Sequence, residues 1–133
     1  MILLDTHAWV WWVGAPDRLP AAARRRIDDT VTEEGTVAIS AISVWEVAML
    51  VQRRRLTLTL DINTWLERNA ALRILTFVPV DNAVALRAVH LTDFPCRDPA
   101  DRIIAATALG VGATLITADR RLHEWGGVPV LWE

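Results

Sequence analysis

Short apolar runs alternate with segments of helical periodicity along the whole chain. Ile2-Leu3-Leu4 is a continuous apolar run, as expected of a strand buried on both faces. His7 to Val13 reads as a short Trp-rich helix ending near Gly14, and Leu19 to Val31 as a second helix with Ala22, Ile27 and Val31 on its apolar side. Thr36 to Ile39 predicts a second buried strand. Ser43 then opens a helix over Val44 to Val51 that runs into Arg53-Arg54-Arg55. Asp61 starts a helix through Ala71, and Ile74 to Val80 predicts a third strand, ended by Pro79. Asp81 to Val89 is helical. Asp98-Pro99 opens a helix over Ala100 to Leu109, which Gly110 or Gly112 terminates. Ala113 to Thr117 is a fourth strand and Val128 to Leu131 a fifth.

Strands that are apolar throughout, each followed by a helix, predict a three-layer α/β/α sandwich around a mostly parallel sheet of four to five strands. At 133 residues there is room for one domain over 1–133, and no linker or repeat divides it. A hydrophobic share of 53% excludes disorder. The longest apolar stretch, Ile103 to Ala118, is interrupted by Gly110 and Gly112 and is shorter than the roughly 20 residues a bilayer requires. Asp5 interrupts the N-terminal apolar run before it makes a signal sequence. Cys96 is the single cysteine, so neither an internal disulfide nor a thiolate cage can form. These features predict a soluble cytoplasmic protein.

Net charge is −2, so any nucleic-acid role rests on local chemistry and not on a basic surface. All 14 basic residues are Arg, which removes every mechanism that depends on an essential Lys. In a parallel sheet, the C-terminal ends of strands and the N-terminal ends of helices share one edge, where open α/β sheets bind ligands. Four acids map to that edge. Asp5 follows the first strand, and Asp119 lies past the fourth. Glu46 is placed in the first turn of the helix after the second strand, and Asp101 in the first turn of the helix before the fourth.

Each acid has a purely local explanation. Ser43-Val44-Trp45-Glu46 matches a capping box. Asp98-Pro99-Ala100-Asp101 places Asp98 at an N-cap and Asp101 in a first turn. Asp119 suits a cap into Arg120-Arg121-Leu122, and Asp5 an ordinary strand end. Four caps sharing one rim are a different matter. Two carboxylates about 4 Å apart repel by roughly 4 kcal/mol at an effective dielectric of 20, so four together call for a cation. Oxygen ligands suit Mg2+ or Mn2+, whose chemistry serves phosphodiester hydrolysis.

Four segments carry a resemblance. Leu3-Leu4-Asp5-Thr6-His7-Ala8-Trp9, Ser40-Ala41-Ile42-Ser43-Val44-Trp45-Glu46, Asp98-Pro99-Ala100-Asp101-Arg102-Ile103-Ile104-Ala105-Ala106-Thr107-Ala108 and Leu115-Ile116-Thr117-Ala118-Asp119 resemble the PIN-domain proteins, and in particular the VapC toxins of bacterial toxin–antitoxin pairs. The four stand in order across essentially the whole chain. The resemblance implies a Rossmann-like parallel sheet and an endoribonuclease dependent on Mg2+, with Mn2+ as a substitute. It places metal-site acids at Asp5, Glu46, Asp101 and Asp119, and implies an RNA substrate, an antitoxin protein partner and a homodimer. Thr6, Asp98, Thr117 and Arg102 are possible supporting residues, Asp98 as a cap first. Arg102, Arg120 and Arg121 suit either phosphate contact or ion pairing with the acids. Trp9 and Trp12 are expected in the core. Trp11, with Trp45 or Trp65, is expected to line a groove for a second protein chain.

Two rival enzymatic readings fail on composition. A dinucleotide site needs a glycine-rich turn after the first strand, where Asp5-Thr6-His7-Ala8 has none. A receiver domain needs the missing Lys, and a dehalogenase-type site wants an acid where His7 stands. The remaining alternative is a non-catalytic RNA- or protein-binding module on the same fold.

Overall fold

A computed structural model describes every residue from Met1 to Glu133. Five strands, Ile2–Leu4 (β1), Val37–Ser40 (β2), Leu75–Val78 (β3), Thr114–Ile116 (β4) and Val130–Leu131 (β5), form one sheet in the order β3-β2-β1-β4-β5. Every pairing is parallel. Seven helices connect and flank them: Thr6–Gly14 (α1), Ala21–Thr32 (α2), Ala41–Gln52 (α3), Ile62–Ala70 (α4), Asn82–Val89 (α5), Pro99–Val111 (α6) and Arg120–Trp125 (α7). No helix is long and apolar enough to cross a membrane.

The strand residues divide by parity, as the pleat requires. Ile2 and Leu4, with Val37, Ile39 and Ile116, join Ala8 and Trp9 of α1, Ala23 and Ile27 of α2, Val47 of α3 and Trp65 of α4 in one apolar cluster. Leu3, Ala38 and Leu115 point the other way, onto Ile104 and Ala108 of α6 and Leu122 of α7. Both faces of the sheet are therefore covered, which gives the expected α/β/α sandwich and explains why the strands lack polar alternation. The first cluster is tied by Trp9, whose ring centroid lies 4.7 Å from that of Trp65 and 5.6 Å from that of Phe77. Its indole Nε1 donates to Asn69 Oδ1 at 3.0 Å, and Asn69 Nδ2 donates to the Trp65 carbonyl at 2.8 Å. No side-chain nitrogen or oxygen in the buried interior lacks a partner.

Three details depart from the sequence expectations. Helix α3 starts at Ala41, immediately after β2, because Ser40 serves as its cap, with Oγ accepting from Ile42 N at 3.3 Å. Ser43 therefore lies inside the helix, and the capping box with Glu46 does not exist. Glu46 stands in the second turn, not the first. Strand β3 ends at Val78, so Pro79 and Val80 lie beyond it. Helix α7 was not expected as a helix, since six residues are too few to display a period. Gly112, at φ 67°, ends α6 in the left-handed conformation that glycine adopts without strain.

Strand order places the switch in winding direction at β1. The chain moves from β1 outward to β2 and β3, then returns to β4 on the opposite side of β1. The connections leaving the C-terminal ends of β1 and β4 diverge, and a crevice opens between them.

Candidate functional site

That crevice is a pocket of about 390 Å³, and Asp5, Glu46, Asp101 and Asp119 all line it. Thr6, His7, Trp11, Asp98, Thr117 and Arg121 complete its polar and aromatic walls. Each acid arrives from a different element. Asp5 caps α1, its Oδ1 accepting from Ala8 N at 2.9 Å. Asp119 caps α7, its Oδ1 accepting from Arg121 N at 2.9 Å. Asp101 occupies the first turn of α6, and Asp98 is that helix's cap, accepting from Ala100 N at 2.9 Å. The local cap explanation thus holds for Asp5, Asp98 and Asp119, and is compatible with convergence. One carboxylate oxygen caps the helix while the side chain remains at the pocket wall. Glu46 makes no cap.

Hydroxyl groups hold the acids in position. Thr6 Oγ1 lies 2.6 Å from Glu46 Oε1 and 2.9 Å from Ser43 Oγ. A hydroxyl has one proton, and the carboxylate is the stronger acceptor, so Thr6 donates to Glu46 and accepts from Ser43. Thr117 Oγ1 accepts from Asp119 N at 3.1 Å, which fixes the turn between β4 and α7. Thr6 and Thr117 are both buried. Arg102 turns away from the acids: Nη1 donates to the Ala88 carbonyl at 2.7 Å, and the guanidinium lies 5.2 Å from the Phe94 ring centre. It forms no ion pair with the acids and does not line the pocket.

Electrostatics divide the acids into two kinds. Burial raises Asp101 to about 6, with the charges of Asp98, Glu46 and Asp119 adding to the effect and Arg121 opposing it. Glu46 is raised by burial against the lowering effect of its Thr6 hydrogen bond, with Asp98 and Asp5 as further like charges. Burial likewise raises Asp5, opposed by Thr117 and by the Ala8 amide. Asp119 alone is lowered, chiefly by its hydrogen bonds from the Arg121 side chain. Arg121 Nη2 lies 2.7 Å from Asp119 Oδ2 and Nε lies 3.1 Å from Oδ1, a two-pronged ion pair. The same Nη2 reaches only to 3.9 Å from Asp101 Oδ2. One guanidinium therefore faces four carboxylates, and Asp101 receives little of it.

Cys96, which no sequence signal ties to this site, is its neighbour in the fold. Its Sγ lies 3.8 Å from Asp119 Oδ2, and one ligand atom each from Cys96, Asp101 and Asp119 fall within 4.8 Å of one another. Burial, followed by the charges of Asp101 and Asp119, pushes the thiol up to about 11, so it stays protonated near neutral pH. The four acids offer carboxylate oxygens, and such a set fits a hard divalent cation of the Mg2+ or Mn2+ type.

Trp11 separates the acid pocket from a second, larger cavity of about 440 Å³ and lines both. Val10, Val13, Leu58, Leu60, Trp65 and Leu72 make that second cavity mostly apolar, and Arg18 and Arg68 also line it. Trp65 thus shares a groove with Trp11 as expected, whereas Trp45 lies elsewhere, 56% exposed on α3.

Known proteins reproduce both the fold and the chain. Ribonuclease VapC22 of Mycobacterium tuberculosis is 40% identical over 124 residues, 92% of this chain and 90% of the relative. The crystal structure of FitAcB from Neisseria gonorrhoeae superposes with a TM-score of 0.67 at 26% identity, covering 98% of this chain and 96% of that one. VapBC2 from Rickettsia felis, crystallised with a DNA fragment from its promoter, gives a TM-score of 0.71 over the full length of both chains; at 18% identity it speaks to the fold alone. The PIN domain model matches residues 2–127, a span that includes all four pocket acids. With fold, length and motif order in agreement, this chain belongs to the PIN domain family.

Proposed function

We propose that the protein is a Mg2+- or Mn2+-dependent endoribonuclease, acting as the toxin of a toxin–antitoxin pair, with residues 1–133 as its single nuclease domain. The observation that carries this reading is the convergence of Asp5, Glu46, Asp101 and Asp119 on one pocket at the switch point of the sheet. The 40% identity to a ribonuclease over most of both chains supports the substrate class and the reaction. These four acids hold the cation. When bound, a hard divalent cation offsets phosphate charge and makes water acidic enough to serve as a nucleophile near neutral pH.

The chain's own residues prepare that chemistry. Thr6 fixes the Glu46 carboxylate, and the α1 amide at Ala8 fixes Asp5. Thr117 shapes the turn that presents Asp119. Asp98 anchors the first turn of α6 and so the position of Asp101. Crowding of the acids, offset by one guanidinium and by His7 beside Asp5 and Glu46, is the source of cation affinity. RNA binds across the open mouth of the pocket, where the base, sugar and phosphate of an unpaired strand are all accessible.

An antitoxin protein is the proposed partner. One structure of the same fold, from Klebsiella pneumoniae, is a toxin–antitoxin complex, and the Trp11–Trp65 groove, mostly apolar with Arg18 and Arg68 among its lining, suits an apolar and acidic segment. A homodimer in the cytoplasm completes the reading. The exposed Trp45, beside Ile42 and Ile103, supports a second protein-binding face on α3 and α6. The alternative, a non-catalytic RNA- or protein-binding module, gives no role to the charge crowding.

The test is RNA cleavage by wild type and Asp5→Asn, each with EDTA and with Mg2+. Wild type is expected to cleave only with Mg2+, and Asp5→Asn to be slower by roughly a hundredfold or more while remaining folded. Equal cleavage by both proteins, or cleavage in EDTA, would remove these acids from the reaction.

A further inference from the structure

Arg121 is the one guanidinium lining the acid pocket, and its geometry bears on how a metal enters. Both oxygens of Asp119 are already engaged. Oδ1 accepts from the backbone N of Arg121 at 2.9 Å and from its Nε at 3.1 Å. Oδ2 accepts from Nη2 at 2.7 Å and faces the Cys96 thiol at 3.8 Å. A carboxylate oxygen has about two lone-pair directions, so Oδ1 is filled, and Oδ2 keeps one direction met only by the weak thiol donor, beside the guanidinium. The guanidinium also carries positive charge to within 3.9 Å of Asp101. A divalent ion reaching Asp119 would lie against this guanidinium, and the two positive charges repel and compete for the same carboxylate.

We propose that Arg121 is a resident counter-cation that competes with the metal, and that metal binding releases its side chain from Asp119. Local structure permits the release. Arg121 is the second residue of α7, its side chain is 56% exposed, and no residue other than the two acids pairs with it. Its backbone N–H stays on Asp119 Oδ1, so the helix cap survives when the guanidinium leaves. The displaced side chain moves into solvent, where an arginine is well hydrated and little strain is incurred. This inference rests on the four-acid metal reading and specifies the step that sets metal affinity.

Calorimetric titration with Mn2+ tests it on wild type, Arg121→Gln, Arg120→Gln and Asp119→Asn. Arg120 adjoins the same helix start, yet pairs with no acid and does not line the acid pocket, so it controls for net charge. Arg121→Gln is expected to bind Mn2+ about three- to tenfold more tightly than wild type, the range for losing a partly exposed two-pronged ion pair. Arg120→Gln is expected to stay within about twofold of wild type, because its charge is screened by solvent. In proton–nitrogen NMR, saturation with diamagnetic Mg2+ is expected to move the Arg121 Nε–H signal to the position of a solvent-exposed arginine. Unchanged or weaker binding by Arg121→Gln, an equal gain in Arg120→Gln, or an immobile Nε–H signal would overturn the competition. If wild type bound Mn2+ and Asp119→Asn did not, that failure would be the inference's alone. If neither bound, or both bound equally, the four-acid reading would fall as well.

Discussion

The Trp9 cluster beneath α1 and the acid pocket at the rim of the same helix are built on opposite principles. Around Trp9, the aromatic rings of Trp65 and Phe77 exclude water, and the two polar groups, the indole N–H and the Asn69 amide, satisfy each other and a backbone carbonyl. That region gains stability from everything it buries. A few residues away, Asp5, Glu46 and Asp101 are each held at a raised pKa by burial and by like charges, and one guanidinium serves the group. The pocket loses stability by what it gathers. The contrast teaches that the core supplies a surplus from which a strained site is maintained, and that the strain is specific to one ligand class, a cation.

The largest effect that would sharpen this contrast is on the core side. Trp9→Ala is expected to destabilise the protein by about 3–5 kcal/mol, since a fully buried indole leaves a cavity and orphans Asn69. Urea unfolding followed by circular dichroism measures it. A loss below about 1 kcal/mol would mean that the cluster is not the source of the surplus.

On the pocket side the sign reverses. Asp101→Asn is expected to stabilise the metal-free protein by about 1–2 kcal/mol at pH 7.5, a figure discounted from the full shift because the side chain retains 28% exposure. The pH dependence follows from linkage. Below pH 3.8 both the folded and unfolded forms of this carboxyl are protonated, and it costs nothing. Between about 4 and 6 the unfolded chain releases its proton while the folded protein retains it, so stability falls as pH rises. Above about 6 the penalty is complete. Thermal melts in EDTA from pH 4 to 8 are expected to show a shallower decline for Asp101→Asn than for wild type. Parallel curves, or a less stable variant at pH 7.5, would break the comparison.

Much of this organisation was legible in the chain because it depends on short-range pattern. Strand ends and helix starts are marked by apolar runs and by Asp-Pro, and parallel topology then brings Asp5, Asp101 and Asp119 to one edge without further information. Glu46 reached the same pocket by a different route from the one read, because Ser40 and Ser43 are equally good caps by sequence and only the strand end chooses between them. Arg102 and Arg121 each stand next to or near an acid in sequence. Tertiary packing sends the first to Ala88 and Phe94, and leaves the second on Asp119. Cys96 lies in a loop between α5 and α6, where no periodicity operates, and its approach to Asp119 is set by the fold alone.

The most direct measurement is anomalous X-ray scattering from crystals of the protein grown with Mn2+. A peak in the pocket with oxygen ligands from Asp5, Glu46, Asp101 and Asp119, directly or through water, is the predicted result. Crystals that diffract well and bind Mn2+ elsewhere, or leave these carboxylates without an ion at saturating metal, would contradict it.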